Sequence, residues 1–260
     1  MARRSFKREY REDLKRELNV PGVGEHIVKS FQMIFKNWKL FLPLLLIGVI
    51  VLALTVGTMG FFNETAGVFA VLVFLILWLT TIYLTRQIMA KHKVSVRDGL
   101  YNAMTPLIAT FVIFVVVVLE CIPIILFIIA YSAAMETEFL TMPFYSILFW
   151  GFAGLMFTIS GYLLPNSLIA LIAVTAPGVY PFRALVMASE LMLGRKMRLI
   201  LRVVALLMVL AVIWAVLLLP LQAINAPKDV FSVIMMILIC FSTIYVAIYL
   251  YKYYRYLLEA

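Results

Sequence analysis

Six long runs of apolar residues, separated by short polar segments, dominate the sequence. They cover approximately Leu40–Gly60, Gly67–Met89, Pro106–Tyr131, Phe144–Val174, Ile200–Leu221 and Val230–Tyr251. Each run reaches the roughly 20 residues that a helix needs to cross a hydrocarbon layer of about 30 Å. Apolar and polar positions do not alternate within the runs, which favours helices over barrel strands. We therefore predict an all-α polytopic membrane protein with six transmembrane helices.

A different pattern precedes the first, third and fifth runs. There, apolar residues recur with the period of a helix, and basic or amide side chains lie opposite them. The apolar positions are Ile27, Phe31, Ile34, Phe35 and Trp38, then Val96, Leu100, Ala103, Met104 and Leu107, then Phe182, Leu185, Val186, Met192 and Leu193. Because basic and apolar residues side by side suit the headgroup layer, each segment predicts a cytoplasmic interfacial amphipathic helix.

The three amphipathic segments divide the chain into three predicted units, each an interfacial helix followed by a membrane hairpin. The units cover about residues 23–90, 96–175 and 182–252 of a single transmembrane domain, 23–260, which follows a basic segment of residues 1–22. Repeats in membrane proteins often surround a central site. The alternative is that every helix entering a membrane needs a basic and aromatic border, which would produce the same pattern without a repeat.

The amino-acid composition also indicates a protein that is surrounded by a lipid bilayer. Hydrophobic residues make up 65% of the 260 residues and charged residues 13%, whereas soluble domains have about 45–50% and about 25%. Cys121 and Cys240 lie in apolar runs, so no disulfide framework is indicated. His26 and His92 are far apart in the sequence, and no group of residues has the spacing of metal ligands.

Basic residues lie almost entirely in the connections on one side of the predicted spans. Ten precede the first span, four lie between the second and third, five lie between the fourth and fifth or just inside the fifth, and two follow the sixth. Of the 22 Lys and Arg residues, only Lys228 lies on the other side, with four acids. Because positive charges stay cytoplasmic, we predict that both termini are cytoplasmic, in the plasma membrane of a bacterium.

Glu120 is the only acidic or basic side chain deep within a predicted span. It lies about 21 Å into the third span, in the outer half of the membrane, where an ionised carboxylate costs several kcal/mol unless it is paired. In the fourth span, Pro165 loosens the helix next to Asn166 and Ser167. We therefore predict Glu120, Asn166 and Ser167 as a candidate intramembrane polar site. It is either a proton or cation site or a neutral acid hydrogen-bonded between helices.

Aromatic and basic residues at the ends of the first and sixth spans predict anchors in the cytoplasmic interface. These anchors are Trp38, Tyr249, Tyr253, Lys252 and Arg255. In the N-terminal segment, basic residues alternate with acids between Arg3 and Glu17. That segment predicts a solvated helix near anionic lipid, with a partner-binding tail as the alternative.

Motifs for catalysis were not found. The sequence contains neither the G-x-S-x-G nor the G-x-x-x-x-G-K-[ST] pattern, and the acids Glu136 and Glu138 have no histidine near them. The basic residues line membrane edges and do not form a soluble basic domain, so we expect no nucleic-acid binding. We therefore expect no enzyme activity and no cofactor.

Two stretches resemble a group of bacterial six-helix membrane proteins that includes the membrane domain attached to some glycerophosphodiester phosphodiesterases. Lys29–Gln32, Lys36–Lys39 and Pro43–Leu45 resemble the opening of that group, while Phe182–Leu191 and Gly194–Lys196 resemble its later "A-L-x-x-S-x-x-L-x-x-G" element. The resemblance implies a six-helix membrane fold. It carries over no catalytic residue, since no set of acids and histidines here could bind a metal and a phosphodiester.

Together these features predict a non-enzymatic integral membrane protein, an accessory or scaffold in envelope or lipid homeostasis. The alternative is a transporter of a small or lipid-like solute, with Glu120 as its proton or cation site. The expected partners are membrane lipids, including anionic lipid at the cytoplasmic face. A protein partner or a homo-oligomer is left open.

Overall fold

The computed structural model describes residues 22–59, 64–136, 143–224 and 227–259, and the regular structure within these ranges is entirely helical. The predicted N-terminal basic helix, Glu138 and Asn225 lie outside the described residues. Nine helices are described: α1 (Val23–Lys36), α2 (Trp38–Met59), α3 (Glu64–Met89), α4 (Val96–Ala103), α5 (Leu107–Glu136), α6 (Pro143–Ala173), α7 (Pro181–Leu191), α8 (Lys196–Ala223) and α9 (Lys228–Glu259).

The six long helices confirm the six predicted spans. Each is long and apolar enough to cross a membrane, and large apolar side chains such as Leu126, Met208 and Leu219 face outward. Exposing so much apolar surface to water would cost free energy, whereas a helix that faces lipid is expected to have an apolar exterior. The chain is therefore a multi-pass integral membrane protein.

Helices α5 and α6 are longer than the hydrocarbon layer. They contain 30 and 31 residues, which corresponds to about 45 Å at about 1.5 Å per residue. Since the hydrocarbon layer measures about 30 Å, each helix either tilts or extends beyond it.

The chain forms two packing groups. Group 1 contains the described residues up to Leu107 and from Arg202 onward, and group 2 contains Ile108–Leu201. In group 1, α9 packs on α2 and α3, and α2 packs on α3. These groups do not coincide with the three predicted units. Each unit joined a short helix to the hairpin that follows it, whereas α4 and α7 pack on the span that precedes them in the chain.

The three short helices occupy the predicted amphipathic segments, and each packs mainly on one long helix. Helix α1 packs on α9, α4 on α3 and α7 on α6. The contacting faces carry mostly small or polar residues at four-residue spacing: His26, Ser30 and Ile34 on α1, Gly99 and Ala103 on α4, and Ala184, Ala188 and Met192 on α7. Small side chains let two helix backbones approach closely.

Gly99 shows how close this approach is. A methyl group at its Cα would lie 3.0 Å from a Leu84 side-chain carbon and 3.1 Å from the Thr80 methyl. The start of α4 is fixed locally by a capping box, in which the Ser95 hydroxyl accepts a hydrogen bond from the Asp98 amide and the Asp98 carboxylate accepts one from the Ser95 amide. The Ser95 hydroxyl also donates a hydrogen bond of 2.7 Å to the Asp98 carboxylate, and this bond, together with the one from the Ser95 amide, lowers the pKa of Asp98. The sequence therefore determines both the start of α4 and its contact with α3.

Much of the predicted apolar face of α7 is not covered by protein. Phe182 and Val186 are 78% and 57% exposed, whereas Ala184 and Ala188 are fully buried. On α1, Val28 and Phe35 are likewise exposed. Each of these two helices thus presents a protein-facing edge of small or polar residues and a separate exposed apolar edge.

Candidate functional site

Glu120 forms a polar contact between α5 and α6 within group 2. The Ser167 hydroxyl donates a hydrogen bond of 2.7 Å to Glu120 Oε1. The Ser160 hydroxyl donates another, also 2.7 Å long, to the Glu120 backbone carbonyl oxygen. Both serines are fully buried. Two of the three residues of the predicted polar site, Glu120 and Ser167, are therefore in direct contact, and Ser160 is an additional member.

The second carboxylate oxygen of Glu120 is buried and has no hydrogen-bond partner among the described residues. No basic side chain in those residues forms an ion pair with this carboxyl. One hydrogen bond from a serine offsets only a small part of the free energy that it costs to remove an ionised carboxylate from water. The Glu120 side chain therefore links α5 to α6 through Ser167, with its other oxygen buried between them.

Asn166 is next to Ser167 in the sequence but belongs to a different site. Successive residues on a helix are about 100° apart, so Ser167 contacts Glu120 while Asn166 lines an open groove of about 620 Å³. Glu120 is not among the residues that line this groove. The structure thus separates Asn166 from the other two residues of the predicted site.

The groove lies between α6, α7 and the beginning of α8 and carries a fixed positive charge. The Lys196 ammonium lies 3.5 Å from the centroid of the Tyr162 ring, and it donates a hydrogen bond of 3.4 Å to the Tyr162 carbonyl oxygen. Pro165 interrupts the hydrogen-bond ladder of α6 just beyond this residue. The Asn166 side-chain oxygen is buried without a hydrogen-bond partner in the described structure.

A second polar cluster, centred on His26, lies within group 1. His26 is fully buried, and its Nε2 donates a hydrogen bond of 3.0 Å to the Tyr249 carbonyl oxygen. The His26 ring also meets the Tyr249 ring edge to face, with centroids 4.3 Å apart. The Tyr245 hydroxyl donates a 3.1 Å hydrogen bond to the Ile27 carbonyl oxygen. These contacts attach α1 to α9.

Burial lowers the pKa of His26 from about 6.5 to about 4, and three nearby positive charges act in the same direction. These charges belong to Lys252, Arg202 and Lys29. The hydrogen bond to Tyr249 opposes the shift but does not cancel it. His26 is therefore neutral near pH 7 and serves as a packed hydrogen-bond donor.

The structure corrects part of the predicted set of interface anchors. Tyr249 is fully buried and Tyr253 is 3% exposed, since their rings face α1 and the Arg202 guanidinium. Neither ring can therefore reach lipid headgroups. Trp38 is 54% exposed, and Lys252 and Arg255 are half-buried, so anchoring by these three stays a prediction.

Sequence reasoning did not identify His26, Lys196 or Tyr162 as site residues. His26 appeared isolated because its partner Tyr249 is 223 positions away. The tyrosine spacing on α9 did contain a signal. Tyrosines at positions 245, 249 and 253 lie on one side of a helix, and such a side can pack on another helix as well as face the lipid headgroups. For Lys196 and Tyr162 the sequence offers only an aromatic residue and a lysine, both common at membrane edges.

Comparison with known proteins identifies no relative that would assign either site. No protein-family model, no curated protein and no solved structure matches the chain. The resemblance to the six-helix membrane group therefore stays a prediction.

Proposed function

We propose that this integral membrane protein has no catalytic activity of its own and acts as an accessory or scaffold in envelope or lipid homeostasis. It resides in a bacterial plasma membrane with both termini in the cytoplasm. Membrane lipids are its principal partners, and the exposed apolar edges of α1 and α7 lie in the headgroup layer. The charge asymmetry of the connections supports this orientation.

The contact between Glu120 and Ser167 carries the proposal. A transport site needs an ionisable group that exchanges protons or cations with a wet cavity. Here the carboxyl is hydrogen-bonded to a buried serine on the neighbouring helix, and it does not line the polar groove beside Asn166. A carboxyl in this position stabilises the pairing of α5 and α6.

A transporter of a small or lipid-like solute is the second candidate, and one observation favours it. Glu120 Oε2 has no hydrogen-bond partner among the described residues, so that oxygen could take up a proton or a cation. In this case, the carboxyl would titrate with the pH of an aqueous cavity.

Substitutions of Glu120 separate the two candidates. For the scaffold, Glu120→Gln should leave the thermal unfolding temperature in detergent almost unchanged, because an amide oxygen can still accept the bond from Ser167. Glu120→Leu should destabilise by about 0.5–1.5 kcal/mol, the range for hydrogen bonds between membrane helices. Ser167→Ala removes the other half of the same bond and is the matched control, with a loss of similar size expected.

The infrared carboxyl band of Glu120 provides a direct measurement that requires no known substrate. Comparing the wild-type protein with Glu120→Gln assigns the band. The scaffold predicts a protonated band that stays constant between about pH 6 and pH 8. A carboxyl that titrates in this interval would contradict the scaffold and support the transporter.

A further inference from the structure

The groove beside Asn166 combines one cation, two oxygen acceptors and an apolar rim. Lys196 provides the cation and has no carboxylate partner within the described residues. The Asn166 side-chain oxygen is an acceptor without a donor. The Ser189 hydroxyl donates to the Val186 carbonyl oxygen, which leaves its own oxygen free to accept a bond. Leu193 and Met197 complete the lining and are largely exposed.

The groove lies at one end of a membrane span. The span α8 begins at Lys196, and Lys196 lines the groove together with Gly194, which lies just before that span. Basic residues at the end of a span are typical of the border with the headgroup layer. A lipid headgroup at this end of α8 can therefore reach Lys196.

The net charge near the groove favours an anion. Lys196 is the one charged residue among those that line it. The segment of residues 181–198, which includes α7 and the beginning of α8, also carries Arg183, Arg195 and Arg198 and one acid, Glu190. The first-turn amides of α8 add the positive end of a helix dipole next to Lys196. Lys196 itself is held by the Tyr162 ring and carbonyl oxygen, neither of which neutralises its charge.

We propose that this groove binds the headgroup of an anionic glycerophospholipid, with Lys196 on the phosphate and Asn166 and Ser189 on headgroup hydroxyls. Phosphatidylglycerol has this chemistry, because its phosphate is followed by a glycerol that carries two hydroxyl donors. A zwitterionic headgroup would bring a second cation among the basic residues. The exposed side chains of Leu193 and Met197 lie along the acyl chains. The site deepens the proposed lipid-related function and rests on it.

The test measures lipid retention by native mass spectrometry on the full-length protein, after exchange into an equimolar mixture of phosphatidylglycerol and phosphatidylethanolamine. The wild-type protein should retain phosphatidylglycerol in preference. Lys196→Gln should reduce this preference about fivefold, since one lysine near an anionic lipid contributes about 1 kcal/mol. Lys196→Arg should keep it. Lys228→Gln, which removes an exposed charge from the beginning of α9, outside the groove and the three short helices, is the matched control and should have no effect.

A second variant protects the test against a loss of folding. Ser189→Asp places a carboxylate on a partly exposed side chain of the groove, next to the phosphate, so it should lower phosphatidylglycerol retention with little change in the unfolding temperature. Equal retention of both lipids by the wild-type protein would overturn the site, as would an unchanged preference in Lys196→Gln and Ser189→Asp. Displacement of the lipid by millimolar inorganic phosphate would also overturn it, since the ligand would then be a soluble anion. None of these outcomes alters the carboxyl band of Glu120, which tests the proposed function separately.

Discussion

The protein in detergent is expected to lose stability as the pH falls from about 6.5 to about 4, because His26 must remain neutral in the folded state. Its ring is fully buried and faces positive charges from three helices: Lys29 on its own helix, Arg202 on α8 and Lys252 on α9. The one acid on its own helix, Glu25, is ion-paired with Lys29 at 2.6 Å. Protonation of His26 would therefore add a positive charge to a buried, positively charged environment.

The sign of this effect follows from the two pKa values. In the unfolded chain His26 takes up a proton near pH 6.5, whereas in the folded protein it does so only near pH 4. Below pH 6.5 the unfolded state thus binds more protons, and the stability present above that pH is progressively lost as the pH falls to about 4. A shift of this size corresponds to a loss of up to about 3 kcal/mol.

Thermal unfolding between pH 7.5 and pH 4.5 measures this effect in the wild-type protein and in His26→Gln. Glutamine can still donate to the Tyr249 carbonyl oxygen but does not titrate, so its stability should change much less with pH. His92→Gln replaces an exposed histidine and is the control, with a pH dependence like that of the wild type. Equal pH dependence in all three proteins would show that the His26 ring does not resist protonation.

Replacing Ala188 with leucine is expected to detach α7 from α6 and to destabilise group 2 by about 1–3 kcal/mol. Ala188 is fully buried on the face of α7 that packs on α6. Three additional carbons at a close helix contact force the helices apart or push side chains out of their preferred rotamers. Ala184→Leu, one turn earlier on the same face, should have a similar effect.

Val186→Leu provides the matched control, because Val186 is exposed on the same helix and the substitution also adds apolar volume. The unfolding temperature and the rate of proteolysis in residues 174–180, which connect α6 and α7, measure the difference between the variants. Ala188→Leu should lower the temperature and speed the cleavage, whereas Val186→Leu should change neither. Equal behaviour of the two variants would contradict the assignment of the packing face.

The six spans could be predicted from the sequence because lipid allows few backbone structures. A run of about 20 apolar residues satisfies its own peptide groups in lipid only as a helix, and α2, α3, α5, α6, α8 and α9 follow the predicted runs. The position of α4 was also predictable, since Ser95 and Asp98 form a capping box directly before an amphipathic segment.

The packing faces could not be predicted by hydrophobicity, since lipid and protein interior both accept apolar side chains. Phe182 and Val186 gave α7 its apolar pattern, yet the smaller Ala184 and Ala188 make its contact with α6. The pairing of Glu120 with Ser167 depends on the register of α5 against α6, across 47 positions of sequence. Asn166 was grouped with Ser167 because the two are adjacent in sequence, although on a helix that adjacency turns them toward different neighbours.

Cysteine-accessibility labelling in intact cells tests the central claim, a six-span chain with both termini in the cytoplasm, most directly. Starting from a protein that lacks Cys121 and Cys240, the single substitutions Lys93→Cys, Arg195→Cys and Lys228→Cys are treated with a membrane-impermeant maleimide. The distribution of basic residues predicts that only Lys228→Cys reacts from outside, and that Lys93→Cys and Arg195→Cys react after the membrane is permeabilised. External labelling of Lys93→Cys or Arg195→Cys would contradict the claim.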